Sequence, residues 1–260
     1  MKNYSPLIFF GLILFLIPFT SAHSLEEAIN SKDRSVKNVK RDQYRNPYET
    51  LSFFEIKQDM KVVELSPGGG WYTEILANYI HAPGMLIAAH FDKNSERAFY
   101  VRMRNSFENK INQNPMYKNV SIVDLSSKLA EAETVDAVLT FRNLHNWIGP
   151  QIDIIFSNAH TALKKGGILG VVEHRANPGT SLEEMKKSGY VTEEYAIKIA
   201  KKHGFTLISK SEINANSKDT KDYESGVWTL PPALRLKDDN KQKYLAIGES
   251  DRMTLLFKKI

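Results

Sequence analysis

From residue 61 onward the spacing of apolar side chains switches between the two periods of regular structure. A short β run covers 62–65, and a helical pattern over 71–80 puts Ile75, Leu76, Tyr79 and Ile80 on one side. After a Pro83-Gly84 turn come a strand over 85–91, a helix over 96–110 and a strand over 120–123. The run over 135–141 is continuously apolar, as for a strand buried on both faces. A helix over 152–163 stops at Lys164-Lys165-Gly166-Gly167, with cations in its last turn and glycine just beyond, and a fifth strand covers 168–172. Thr192 caps a helix that runs to His203, and strands over 205–209 and 253–257 complete the set. Such alternation predicts an α/β fold with a doubly wound, mostly parallel seven-stranded sheet and right-handed crossovers.

Three stretches stand outside the alternation. Residues 24–45 are polar, with sparse apolar positions, and read as a helical or irregular lead-in; Asn46-Pro47 then opens a helix with Leu51 and Phe54 on one face. Residues 214–252 form an insertion before the last strand. Loops beyond about 12–15 residues are usually functional or disordered, and Trp228, Leu230, Leu234, Tyr244, Leu245 and Ile247 argue for a packed insertion or lid. At the start, Lys2, an apolar run over 7–17, Pro18 and the small residues Thr20-Ser21-Ala22 read as a cleaved secretory signal. That run is shorter than the roughly 20 residues of a transmembrane helix; an uncleaved anchor is the alternative. The expected organisation is a signal over 1–22, a helical lead-in over 23–55 and one α/β domain over 56–260, in an exported, periplasmic protein.

Composition narrows the classes. Hydrophobic residues are 42% and charged residues 25% of the 260, enough for a full globular core. Lys and Arg number 35 against 30 Asp and Glu, a formal charge of +5, but the signs are interleaved. Without a long basic block the charge is a solvated surface and carries no clear nucleic-acid signal. The chain has no Cys, which removes disulfides and a lipid-attachment site.

The chemistry starts at the loop after the first strand. In an open parallel sheet, ligands sit at the carboxyl ends of the strands, near the switch in strand order. Ser66, Pro67, Gly68, Gly69 and Gly70 lie there, between strand and helix. Gly68 and Gly70 let a ligand approach the backbone, and the N–H groups opening the helix favour an anionic group. Glu64 either organises the loop or accepts from a ligand amine or hydroxyl. A dinucleotide fingerprint asks for a third glycine, where Thr73 stands, which disfavours a nicotinamide oxidoreductase.

The pattern E-x-S-x-G-x-G resembles motif I of the class I S-adenosylmethionine-dependent methyltransferases. The turn Leu163 to Ile168 resembles the L-K-P-G-G turn of that superfamily. Across nearly the whole mature chain, stretches such as "ETLSFFEIKQDMKVVELSPGGGWYTEIL", "LTFRNLHNW", "GVVEHR" and "AIGESDRMTL" resemble a branch of exported bacterial predicted methyltransferases. The resemblance implies S-adenosyl-L-methionine as cofactor, held by Glu64, Ser66, Gly68, Gly69, Gly70 and Arg142. It also implies an acid on the ribose hydroxyls near His90 and Asp92, and Asp124 on the adenine amine. Two departures are Ser66-Pro67 in place of the first glycine and His90 in the place of the ribose acid.

Methyl transfer needs an in-line approach and, for some nucleophiles, removal of a proton. Candidates follow the fourth and fifth strands: Asn143, His145 and Trp147, then Glu173 and His174. His145 is a base near neutral pH or, alternatively, a helix cap. Asn143 orients substrate or cofactor, and Glu173 and His174 line the pocket or, with Arg175, join a surface salt bridge. No H-x-x-x-H or H-E-x-x-H spacing is present, so no metal is expected. Tyr190 is a candidate lid residue; Lys218, Asp219 and Asp222 read as solvated charges, and Trp228 as core. The reading is a methyltransferase acting on a small-molecule substrate, with a non-catalytic small-molecule-binding protein of the same fold as the alternative.

Overall fold

The structure is a computed structural model that describes residues 24–260; the signal expected over 1–22 lies outside the described residues. Three short helices, α1 (Leu25–Ile29), α2 (Val36–Val39) and α3 (Pro47–Phe53), form the lead-in, with a 3-10 turn at Asp42–Tyr44. There follow β1 (Lys61–Leu65), α4 (Trp71–Tyr79), β2 (Met85–His90), α5 (Ala98–Gln113), β3 (Val120–Asp124) and β4 (Val135–Phe141). Next are α6 (Leu144–Trp147), α7 (Pro150–Ala162), β5 (Leu163–His174), α8 (Leu182–Ser188), α9 (Glu193–Lys202) and β6 (Phe205–Ser211). A 3-10 turn at Gly226–Thr229, α10 (Lys241–Ile247) and β7 (Arg252–Lys259) close the order.

Among the described residues the seven strands form one sheet in the order β3-β2-β1-β4-β5-β7-β6. The β1 to β5 pairings are parallel, and β7 runs antiparallel to both β5 and β6. The order reverses between β1 and β4, which is the switch point where open α/β sheets take ligands. Two boundaries differ from expectation. Leu163 already has extended backbone, so α7 stops one residue early. The Lys164-to-Gly167 turn lies inside β5 as an irregularity, with Gly166 at φ +77°.

Alternation along the strands sends successive residues to opposite faces, and both faces are covered. Val63, Leu65 and Val138 pack with Ile155, Phe156 and Phe205 on one side. Val62, Leu139 and Phe141 pack with Leu51, Phe54, Tyr72 and Ile75 on the other. The lead-in is seated on this second side by polar contacts as well. The Trp71 indole N–H donates to the Asn38 carbonyl at 2.9 Å, and the Tyr72 hydroxyl to the Arg45 carbonyl at 3.3 Å. The insertion packs through a glycine: a Cβ on Gly226, at φ +54°, would lie 2.1 Å from the Ser188 carbonyl oxygen at the end of α8. No helix of the described residues is long and apolar enough to cross a membrane.

Candidate functional site

The chain leaves β1 and β4, neighbours in the sheet, in unusual backbone conformations. Ser66 and Arg142 have φ of +50° and +64°, uncommon for residues with a side chain and concentrated at functional sites. Both are tied to adjacent strands, the Ser66 N–H to the Ala89 carbonyl at 2.8 Å and the Arg142 N–H to the Val172 carbonyl at 2.6 Å.

The glycine loop is held from several sides. Glu64 is buried and accepts from the Thr73 hydroxyl at 2.6 Å. Burial pushes its carboxyl up to about 7, against the smaller opposing effects of Thr73 and Lys110. Of its two expected roles, the one seen is organising the loop. Lys110 on α5 donates to the Gly69 carbonyl at 2.9 Å and pairs with Glu74 at 2.8 Å. His90 is buried, takes the Phe91 N–H on Nδ1 at 2.8 Å, and so presents an Nε2–H to the Gly68 carbonyl at 3.2 Å. Burial lowers its pKa, which keeps it neutral. Asn143 donates to the Leu65 and Ser66 carbonyls at 3.2 and 3.3 Å. Gly70, the N-cap of α4, has φ +77°, where a Cβ would also meet the Phe107 ring at 3.1 Å. Above Gly68 and Gly69 a Cβ would meet nothing within 4 Å, so the floor of the loop is open. The Ser66 hydroxyl is buried without a partner among the described residues.

Two expected cofactor acids hold other partners. Asp92 is exposed and accepts from the Asn94 N–H at 2.8 Å, closing a local turn. Asp124 accepts from the Arg104 guanidinium at 2.7 Å. Their two strand ends are where the sequence put them, but neither carboxylate is free.

At the carboxyl ends of β4 and β5 a second constellation forms. Glu173 is fully buried and takes three N–H donors: Leu144 at 2.5 Å, His174 at 2.8 Å and the His145 Nδ1 at 3.0 Å. An acceptor-only carboxylate fixes the His145 tautomer and leaves its Nε2 as a free lone pair. His174 meets the Ser250 hydroxyl at 2.5 Å, and burial holds its pKa well below the usual value. The His145 and His174 rings are 5.3 Å apart, and Trp228 stands edge-on to His145 at 5.9 Å. His145, Glu173 and His174 each offer a ligand atom within 4.8 Å of the others. The trio that sequence spacing did not present thus converges in space, although a metal would compete there with the donors on Glu173. Arg175 is not with them: it pairs with Asp251, Glu193 and Glu212. Asp219, read as solvated, is instead buried. Its oxygens take the Tyr190 hydroxyl at 3.0 Å and the Asp251 N–H at 2.7 Å, which replace water.

The sequence reading missed a third group. Glu249, from the insertion, is buried among Arg41, Arg45, Arg142 and Arg252, at 2.6, 3.2, 3.7 and 3.5 Å. Burial alone would raise its carboxyl, but the four guanidinium groups outweigh that and hold it at about 2. Burial in turn lowers Arg142 to about 10. A cavity of about 510 Å³ is lined by Arg41, Arg45 and Arg142 together with Ser66, Gly68 and Phe141. The one signal available beforehand was the run of basic residues in an otherwise sparse lead-in.

Solved structures share this architecture. A SAM-dependent methyltransferase from Aquifex aeolicus superimposes with a TM-score of 0.58 at 15% identity, covering 92% of this chain and 100% of that one. The [4+2]-cyclase SpnF gives 0.62 at 12% identity, over 90% and 92%. Geranyl diphosphate C-methyltransferase from Streptomyces coelicolor A3(2), in complex with Mg2+, geranyl-S-thiolodiphosphate and S-adenosyl-L-homocysteine, gives 0.58 at 11%, over 90% and 84%. The chain has the class I methyltransferase fold. Within that fold, the glycine loop and the His145–Glu173 pair occupy the carboxyl edge of the sheet on either side of the β1/β4 switch point. No protein-family model matches the sequence, and no curated protein sequence does.

Proposed function

We propose that this chain is an S-adenosylmethionine-dependent methyltransferase acting on a small-molecule acceptor. The observation that carries the reading is the His145 imidazole, oriented by buried Glu173 just after β4, the strand paired with the one that leads into the open-floored glycine loop. The residues present fit the cofactor at the loop: Gly68 and Gly69 leave space for it, and the orphaned Ser66 hydroxyl lacks a partner that a ligand would supply. Asp92 and Asp124 would exchange the Asn94 N–H and Arg104 for ribose hydroxyls and the adenine amine.

When bound, the cofactor supplies an electrophilic methyl group on its sulfonium. The His145 Nε2 takes the proton of the acceptor's hydroxyl or amine as that atom becomes the nucleophile. The imidazolium formed faces the fully buried Glu173 carboxylate, which stabilises it. His174, kept neutral by burial, adds no opposing charge. Trp228, from the insertion, packs edge-on against the His145 ring.

Calorimetric titration of S-adenosylmethionine and S-adenosylhomocysteine into the full chain tests the cofactor. Absence of binding near about 1 mM, some 4 kcal/mol, refutes it. His145→Gln is expected to slow transfer of a labelled methyl group by about 10²–10⁴-fold with cofactor affinity little changed.

A second reading, a non-catalytic binding protein, is favoured by one observation. His90, in the ribose position, is committed to the Gly68 carbonyl. Cofactor binding without labelled transfer to any of a broad acceptor panel would select it. We also propose export, from the signal-like residues 1–22. Full-length, unprocessed protein in the cytoplasmic fraction would refute this.

A further inference from the structure

We propose that the acceptor carries an anionic group, a carboxylate or phosphate, and that this group docks on Arg41, Arg45 and Arg142 in the cavity beside the glycine loop. The proposal rests on the methyl-transfer reading and names its substrate class.

The argument is one of unbalanced charge. Among the described residues, these three guanidinium groups and that of Arg252 surround the single carboxylate of Glu249. The other acids within electrostatic reach are already used. Glu173 holds His145 and two backbone N–H groups. Asp251 pairs with Arg175 and Lys221. Lys37, on the same cavity wall, adds a further positive charge. Arg45 is only 2% exposed, and among the described residues its Nη2 has no hydrogen-bond partner; the Nη2 of Arg41 has none either. A buried guanidinium group with unmet donors is costly, and a planar two-oxygen anion is its natural complement. Arg45 is also held over the Trp71 ring at 4.6 Å and by Glu249 at 3.2 Å, so its position is fixed before any ligand arrives.

The cofactor does not supply the balance. S-adenosylmethionine brings a sulfonium, an ammonium and one carboxylate, so it makes the neighbourhood more positive. A second, anionic molecule in the same cavity lowers the charge again and draws the acceptor toward the methyl donor.

The test titrates inorganic phosphate and benzoate into the full chain by calorimetry, with and without saturating S-adenosylhomocysteine, using benzyl alcohol as the neutral control. Both anions are expected to bind once per chain in either state, and benzyl alcohol is not. Arg45→Met is expected to weaken anion binding about tenfold or more while changing S-adenosylhomocysteine affinity less than about twofold. Arg41→Met, whose side chain is 23% exposed, gives the same reading should Arg45→Met fail to fold, which circular dichroism decides. If the anions compete with S-adenosylhomocysteine, and its affinity falls in the variants while that of methylthioadenosine does not, the arginines hold the cofactor's own carboxylate and the proposal is overturned. It is also overturned if no anion binds the unaltered chain, or if the variants bind anions equally well. Anion binding that depends on the arginines, in a chain that binds no S-adenosylhomocysteine, keeps the anion site and discards the methyl-transfer reading.

Discussion

Two buried glutamates, one behind the glycine loop and one among the arginines, hold opposite electrostatic positions. Glu64, under the glycine loop, has among the described residues only the Thr73 hydroxyl at hydrogen-bond distance, and burial raises its carboxyl to about 7. Glu249, equally shielded from water, sits among four guanidinium groups that hold it at about 2. Burial penalises charge in both places, and only neighbouring charge decides the outcome. The loop side is a scaffold in which the side chains of Glu64, His90, Lys110 and Asn143 hold protein partners. The arginine side keeps donors in reserve. A ligand therefore meets a rigid floor and an unsatisfied wall.

The comparison can be broken by mutation. Glu249→Gln removes the one carboxylate that, among the described residues, pairs with buried Arg45 and Arg252 and half-buried Arg41 and Arg142, and we expect a loss of about 3–5 kcal/mol in urea unfolding. A loss below about 1 kcal/mol would mean that the guanidinium groups are hydrated and the contrast is false. The two glutamates should next separate in pH. For Glu64 the folded value lies above the unfolded one. As pH rises from about 4.5 to 7 the unfolded chain gives up its proton first, and stability falls by about 3 kcal/mol. In Glu64→Gln that downward slope should vanish, so the variant gains on the parent between pH 5 and 8 as measured by thermal melts. For Glu249 the sign reverses. Its stabilisation, again about 3 kcal/mol, is full above about pH 4.5 and is lost as pH falls toward 2. Acid unfolding of Glu249→Gln should accordingly be flatter than that of the parent over this window. The smallest effect is at Ser66. Its hydroxyl has no partner among the described residues, so Ser66→Ala should change stability by less than about 0.5 kcal/mol, while S-adenosylhomocysteine affinity falls about fivefold if the ligand supplies that partner.

Much of the fold was readable because each element states its own period. The apolar run over 135–141 and the Thr192 cap reappear as β4 and the start of α9. Strand direction was not readable: Met253 to Phe257 shows a strand, but nothing in its pattern says that it runs against its neighbours. The same limit applies to the site. The glycine loop is contiguous and announced itself. His145 and Glu173 are 28 residues apart and meet because β4 and β5 pair. Arg41 and Glu249 are 208 residues apart, and no local pattern encodes their meeting. Asp92 and Asp124 sit at the strand ends expected of them, yet nearby Asn94 and Arg104 had the shorter reach.

The position of β7 carries a consequence for how the molecule is made. It is the last strand in chain order but lies inside the sheet, and β6 pairs with it alone. During synthesis β6 emerges earlier and has no edge to join until Arg252–Lys259 follows. Glu249 arrives with the same segment, 208 residues after Arg41, so the arginines of the lead-in wait that long for their counter-ion. A ribosome stalled before that segment would release a chain with β1 to β5 able to pair, one orphaned strand and an unneutralised cationic cavity, its open sheet edge a template for aggregation.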